Sequence, residues 1–96
     1  MIETYVKEYI AIGRYLRQHG ERRGDFILVE KAKLIRLLDK NLYDTAANKL
    51  QLWKALKWIK TDGRHMDYPV MTDGKVRRMV NVDMGILEQL ERVESG

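Results

Sequence analysis

Two histidines, His19 and His65, and a single serine, Ser95, carry the side chains of this 96-residue chain with the most familiar catalytic or metal-binding chemistry; cysteine is absent. A metal site needs His, Cys or carboxylate ligands at fixed spacing, such as the two histidines one helical turn apart in HExxH. His19 and His65 fall in separate expected elements without such a companion, so both read as ordinary surface or interface residues. Ser95 lies in the tail, with no base to activate it as a nucleophile. No GxxxxGK[ST] or GxGxxG loop is present, and Gly20, Gly24, Gly63 and Gly74 read as loop glycines. The carboxylates are numerous but none is flanked as one half of an acid and base pair. The expectation is a protein with no catalytic residues, no metal, no cofactor and no small-molecule substrate.

The basic residues are more informative. Net charge is only +4, but it is unevenly distributed. Residues 45–82 hold eight Lys/Arg against three Asp/Glu, whereas residues 1–44 hold nine against seven and residues 83–96 hold one against four. A clustered basic surface attracts polyanions, although lysines on a solvated helix face give the same count without a partner.

Hydrophobic residues at 45% and charged residues at 33% are the balance of a folded chain rather than a disordered one. The length allows one domain, expected over residues 1–96, with a modest core. Without cysteine no disulfide staples it, which fits a reducing compartment. The N-terminus has no basic region leading into an apolar one, Met1 fits a natural start, and no apolar run approaches the ~20 residues that cross a bilayer. A cytoplasmic location without a membrane is expected.

The elements that must position the basic residues follow from spacing. Tyr5, Tyr9, Ile12 and Leu16 form one stripe of a helix over 3–19, closed by a left-handed Gly20. Glu21 to Gly24 reads as a polar loop and Phe26 to Val29 as a short strand. A second helix spans 31–40, with Asn41 and Leu42 as a tight turn. Asp44 or Thr45 caps a third helix reaching Leu56 or Lys57. Its projection turns Leu52, Leu56 and Ile59 inward, flanked by Trp53, and Ala47, Gln51 and Lys54 outward, with Asn48 at the margin. Trp58 ends the helix or begins an extended segment.

A hairpin follows around Thr72, Asp73 and Gly74. A three-residue loop is preferred because it gathers Met66, Tyr68, Val70, Val76 and Val80 on one face. A two-residue Asp73–Gly74 loop would mix apolar and basic groups on both faces. Pro69 demands an edge strand. Asp83 then caps a last helix, expected over 83–94.

This order is an α+β arrangement that resembles the winged helix-turn-helix superfamily, in architecture rather than through a diagnostic motif. The Phe26–Val29 strand between the first two helices, the turn near Asn41 and the basic hairpin at Thr72–Lys75 carry the resemblance, which covers nearly the whole chain. It implies a three-helix core with a short strand, a β-hairpin wing and a C-terminal helix. It also implies a third helix in the major groove of double-stranded DNA and a wing on the backbone or minor groove. On that basis the candidate DNA-binding residues are Thr45, Asn48, Lys49, Gln51, Lys54, Lys57, Arg64, Lys75, Arg77 and Arg78. Thr45 offers a phosphate its hydroxyl and the helix N-terminus. Asn48, Gln51 and Lys54 have side chains able to read base edges. A small transcriptional regulator or accessory factor is the expected role, with a homodimer through the first and last helices compatible. The alternative is a non-catalytic protein-interaction module of the same fold, using the last helix through Leu87 or Leu90, or an exposed Trp58.

Overall fold

The computed structural model describes residues 2–95, so Met1 and Gly96, at the ends of the expected 1–96 domain, lie outside the described residues. Helix α1 (Ile2–His19) follows its apolar stripe, with Tyr9 0% and Leu16 1% exposed. Gly20 does not take the left-handed conformation expected of it. What matters there is the missing side chain, since a Cβ would meet the Leu16 carbonyl oxygen at 2.7 Å and Ile27 Cγ2 at 2.8 Å.

The expected loop after Gly20 is instead strand β1 (Glu21–Arg23), hairpinned onto β2 (Phe26–Val29). An exposed edge strand of charged residues has no apolar alternation to announce it. Helix α2 (Lys31–Leu38) stops two residues before Lys40, and helix α3 (Ala46–Ala55) starts behind Thr45, whose Oγ1 accepts from Asn48 N at 3.1 Å. Strands β3 (Ile59–Lys60), β4 (Tyr68–Thr72) and β5 (Lys75–Asp83) follow. Helix α4 (Met84–Ser95) is capped as expected, with Asp83 Oδ1 accepting from Ile86 N at 3.0 Å.

The result is an α+β domain of four helices and a five-stranded antiparallel sheet among the described residues. Its last strand is its centre. Residues 80–83 of β5 pair with β2, with Asn81 and Val82 also pairing with β3 on the other side, while residues 75–79 pair with β4. Ile27, Val82 and Ile59 align across three strands, with Val29 opposite Val80, and this face belongs to the core that the helices cover. Tyr9 anchors the layers. Its ring packs 4.9 Å from Trp53 and 4.7 Å from Trp58, and its hydroxyl donates to the Asp83 carbonyl at 2.7 Å. Burial pushes the Tyr9 hydroxyl well above its ordinary pKa. No helix is long and apolar enough to cross a membrane among the described residues.

The hairpin register differs from the expected one. Val70 pairs with Arg77, Met71 with Val76 and Thr72 with Lys75, so Asp73 and Gly74 alone form the loop. Their φ angles of +50° and +76° are those of the tight turn whose twist matches paired strands. Turn chemistry therefore outweighs the cleaner apolar face. The register leaves Met71 and Val76 60% and 65% exposed.

The inward face of α3 is also rotated from its projection. Ala46, Lys49, Leu50 and Trp53 are the buried positions, while Leu52 is half-buried and Leu56 exposed. A lysine disguised this stripe. Lys49 is 0% exposed and its Nζ donates to Glu8 Oε2 at 3.1 Å, the Leu38 carbonyl at 2.7 Å and the Asn41 carbonyl at 2.6 Å. Glu8 also accepts from Asn41 Nδ2 at 2.8 Å and from the Tyr43 hydroxyl, whose ring lies 4.2 Å from the lysine nitrogen. Each polar atom of the pair is satisfied, which is what burial of charge requires.

Replacing Lys49 by Met leaves the Glu8 carboxylate buried without its cation, and urea unfolding should show a loss of about 3–5 kcal/mol. The double variant Glu8→Gln with Lys49→Met should recover much of that loss. Lys49→Met with an unchanged midpoint would contradict the pairing.

Candidate nucleic-acid interface

The sequence-derived set divides once each side chain has a place. Lys49 leaves it, because a cation sealed against Glu8 cannot meet a phosphate. Thr45 and Asn48 are engaged in the cap of α3. Asp44 Oδ1 accepts from Thr45 N at 2.7 Å and from Asn48 Nδ2 at 3.0 Å, and Asp44 Oδ2 accepts from the Tyr5 hydroxyl at 2.7 Å. The Tyr5 hydrogen bond, then those of Asn48 and Thr45, hold the Asp44 carboxyl below its usual range. A carboxylate thus already sits at the positive end of α3, where Thr45 was expected to receive a phosphate. Gln51 remains exposed on the outer face.

The hairpin cations also differ from one another. Arg78 donates Nε to Asp67 at 2.8 Å and Nη2 to Asp62 at 3.2 Å, so its charge is answered within the protein. Arg77 lies 3.8 Å from Glu30, the outer limit of an ion pair. Lys75 and Arg64 are exposed and have no carboxylate partner among the described residues. Arg23 of β1 donates to the Met71 carbonyl and ties the two hairpins together.

The remaining lysines converge. Lys54, Lys57 and Lys60 line an open groove of about 600 Å³ at the C-terminal end of α3, with Gln51, Thr61 and Phe26 beside them. Lys54 Nζ donates to the Gly63 carbonyl at 3.0 Å, and Lys60 Nζ lies 4.5 Å from the Tyr68 ring and 5.4 Å from that of Phe26. Cations held against aromatic faces or carbonyls lose less freedom when they meet an anion. Lys60 belongs with the basic residues that the sequence groups beside the third helix, but Phe26, Thr61 and Tyr68 were not candidates. Only the fold brings Phe26 of β2 and Tyr68 of β4 to one lysine, and no spacing in the chain signals it.

His19 and His65 are both exposed and far apart in sequence, with His19 stacked 4.7 Å from Tyr15. Comparison of the chain with protein-family models and with curated proteins finds no match.

Asp62 accepts from Arg64 N at 3.0 Å and His65 N at 3.1 Å as well as from Arg78. The two backbone donors, ahead of Arg78, hold its carboxyl at about 2. A depressed folded pKa stabilises the loop above the ordinary value of 3.8 and ceases to do so as pH falls through about 2. Carboxyl titration by NMR should therefore place Asp62 near the bottom of the acid range. It should stay depressed in Arg78→Ala, because the backbone donors remain. A return to the ordinary value in that variant would mean that the arginine alone sets it.

Proposed function

We propose that this chain is a non-catalytic winged-helix protein that binds double-stranded DNA, with α3 in the major groove and the β4–β5 hairpin as its wing. The observation that carries the reading is the gathering of Lys54, Lys57 and Lys60 on one groove beside α3, with Lys75 and Arg77 on the hairpin. The sheet gives support: a strand between the first two helices and a strand after the third both flank the last strand of the hairpin. In this reading the contact set narrows to Gln51, Lys54, Lys57, Arg64, Lys75 and Arg77, joined by Lys60. Gln51 is the exposed amide for a base edge, and the cations take phosphates. Arg78 orders the hairpin instead of contacting DNA. Regulation of transcription is the role that such binding would serve.

Anisotropy of a labelled random-sequence duplex, titrated at several salt concentrations, tests this. Binding should weaken as salt rises, with a log–log slope of about −0.9 per phosphate contacted. Lys75→Glu with Arg77→Glu should abolish it, and no binding at low salt would overturn the reading.

A second reading, a protein-interaction domain, is favoured by the apolar residues left on the surface. Leu42 is 91% exposed, Ile2 49% and Leu56 41%. Of the residues expected to serve that role, Trp58 at 6% and Leu87 at 0% exposed belong to the core, whereas Leu90 is half-buried at its edge. A homodimer through α1 and α4 would have to use their outer sides. Leu87 packs over Gly13, and Glu91 holds Arg14 at 2.7 Å and Arg17 at 2.9 Å. On this second reading the chain self-associates through these exposed apolar residues, Leu42→Ser with Leu56→Ser removes the self-association seen by sedimentation, and a duplex shows little binding with or without the substitutions. On the DNA reading with a monomer, sedimentation does not change.

A further inference from the structure

Lys57 sits where a helix usually ends in glycine. Its φ is +60°, one of only two left-handed values among the described residues other than glycine. The surrounding bonds identify the position. Trp58 N donates to the Trp53 carbonyl at 2.9 Å and Lys57 N to the Lys54 carbonyl at 3.1 Å. These are the paired bonds of a Schellman motif, with Lys57 as the first residue past the helix cap and the Trp53 and Trp58 rings 6.3 Å apart as its apolar contact. A side chain with a Cβ is disfavoured in that conformation, and glycine is the residue that avoids the penalty.

The other left-handed residue, Asp73, lies in a tight hairpin turn that accepts Asp or Asn. Lysine has no such excuse. Proximity to the negative end of α3 favours a cation there, but Lys54 and Lys60 already supply charge at that end. What Lys57 adds is a third lysine on the lining of the groove, beside two whose ammonium groups are held by Gly63 and by the Phe26 and Tyr68 rings. The negative end of α3 and the Asp83 carboxylate oppose an anion here, and two features reduce that opposition. The Trp53 and Lys54 carbonyls are covered by the Schellman bonds. The Asp83 carboxylate on the lining is turned to the N-terminus of α4, where it accepts from Ile86 N.

We propose that this groove is a phosphodiester-binding site for the duplex backbone, and that Lys57 is a ligand-contacting residue kept in a strained conformation at a cost in stability. The inference rests on the DNA reading above. It adds, within the groove already assigned to phosphates, a residue whose stability and binding roles oppose each other.

Three substitutions at Lys57, each followed by thermal unfolding and by duplex anisotropy across a salt series, test it. Lys57→Gly should raise Tm by roughly 4–8 °C and reduce the salt slope by about one. Lys57→Gln should leave Tm close to that of the unsubstituted protein and show the same loss of slope. Lys57→Arg should keep both. Duplex binding by the unsubstituted protein with an unchanged slope in the Gly and Gln variants would overturn Lys57 as a phosphate contact and leave a DNA reading carried by Lys54, Lys60, Lys75 and Arg77. An unraised Tm in Lys57→Gly would overturn the strain. Absence of duplex binding by the unsubstituted protein would remove the DNA reading and this site with it.

Discussion

The buried pair of Glu8 and Lys49 is the interaction on which the arrangement of the helices depends. Charges taken out of water are costly, and their mutual attraction repays that only where every remaining donor and acceptor is met. Here the requirement reaches across α1, the end of α2, the turn at Asn41 and α3, because each supplies a partner. A carboxylate and an ammonium tolerate little change in distance or angle. They fix the rotation of α3 about its own axis more narrowly than leucines alone would. That rotation sends Leu50 and Trp53 inward and presents Ala47, Asn48 and Gln51 to solvent.

The central strand imposes the second constraint. β5 serves the core with one half and a hairpin with the other. Val80 and Val82 are fully buried, whereas residues 75–78 are exposed. The hairpin is thus a projection with little core of its own, held by its tight Asp73–Gly74 turn, by the Arg78 contacts with Asp62 and Asp67, and by Arg23. Such surface pairs are individually weak, but several of them converging on one short ribbon limit its motion.

These two constraints together sort the basic residues by role. Lys49 stabilises the core and is sealed from solvent, whereas Arg78 pairs with Asp62 and Asp67 at the hairpin base while staying partly exposed. Lys54, Lys57 and Lys60 stand on one groove because α3 ends in a Schellman turn that feeds directly into β3. The excess of positive charge visible along residues 45–82 is therefore smaller on the surface than in the sequence, but more concentrated in space.

Periodicity alone determined much of the fold: the stripe of α1, the strand at Phe26–Val29, the caps at Thr45 and Asp83, and the α+β order of elements. These depend on local backbone preference and on one face being apolar, which neighbours in sequence reveal. Strand β1, lacking apolar residues, and two-residue β3 had no such pattern. The hairpin register was decided by the left-handed turn at Asp73 and Gly74, a backbone preference that outweighed the apolar sorting of side chains. The inward face of α3 was decided by Glu8, 41 residues away from Lys49. A lysine reads as surface in any local window, and only the tertiary structure supplies the carboxylate and carbonyls that allow it inside. The groove shows the same division. The sequence supplied its lysines, and the fold decided which of them share one groove, because charge is local whereas convergence is not.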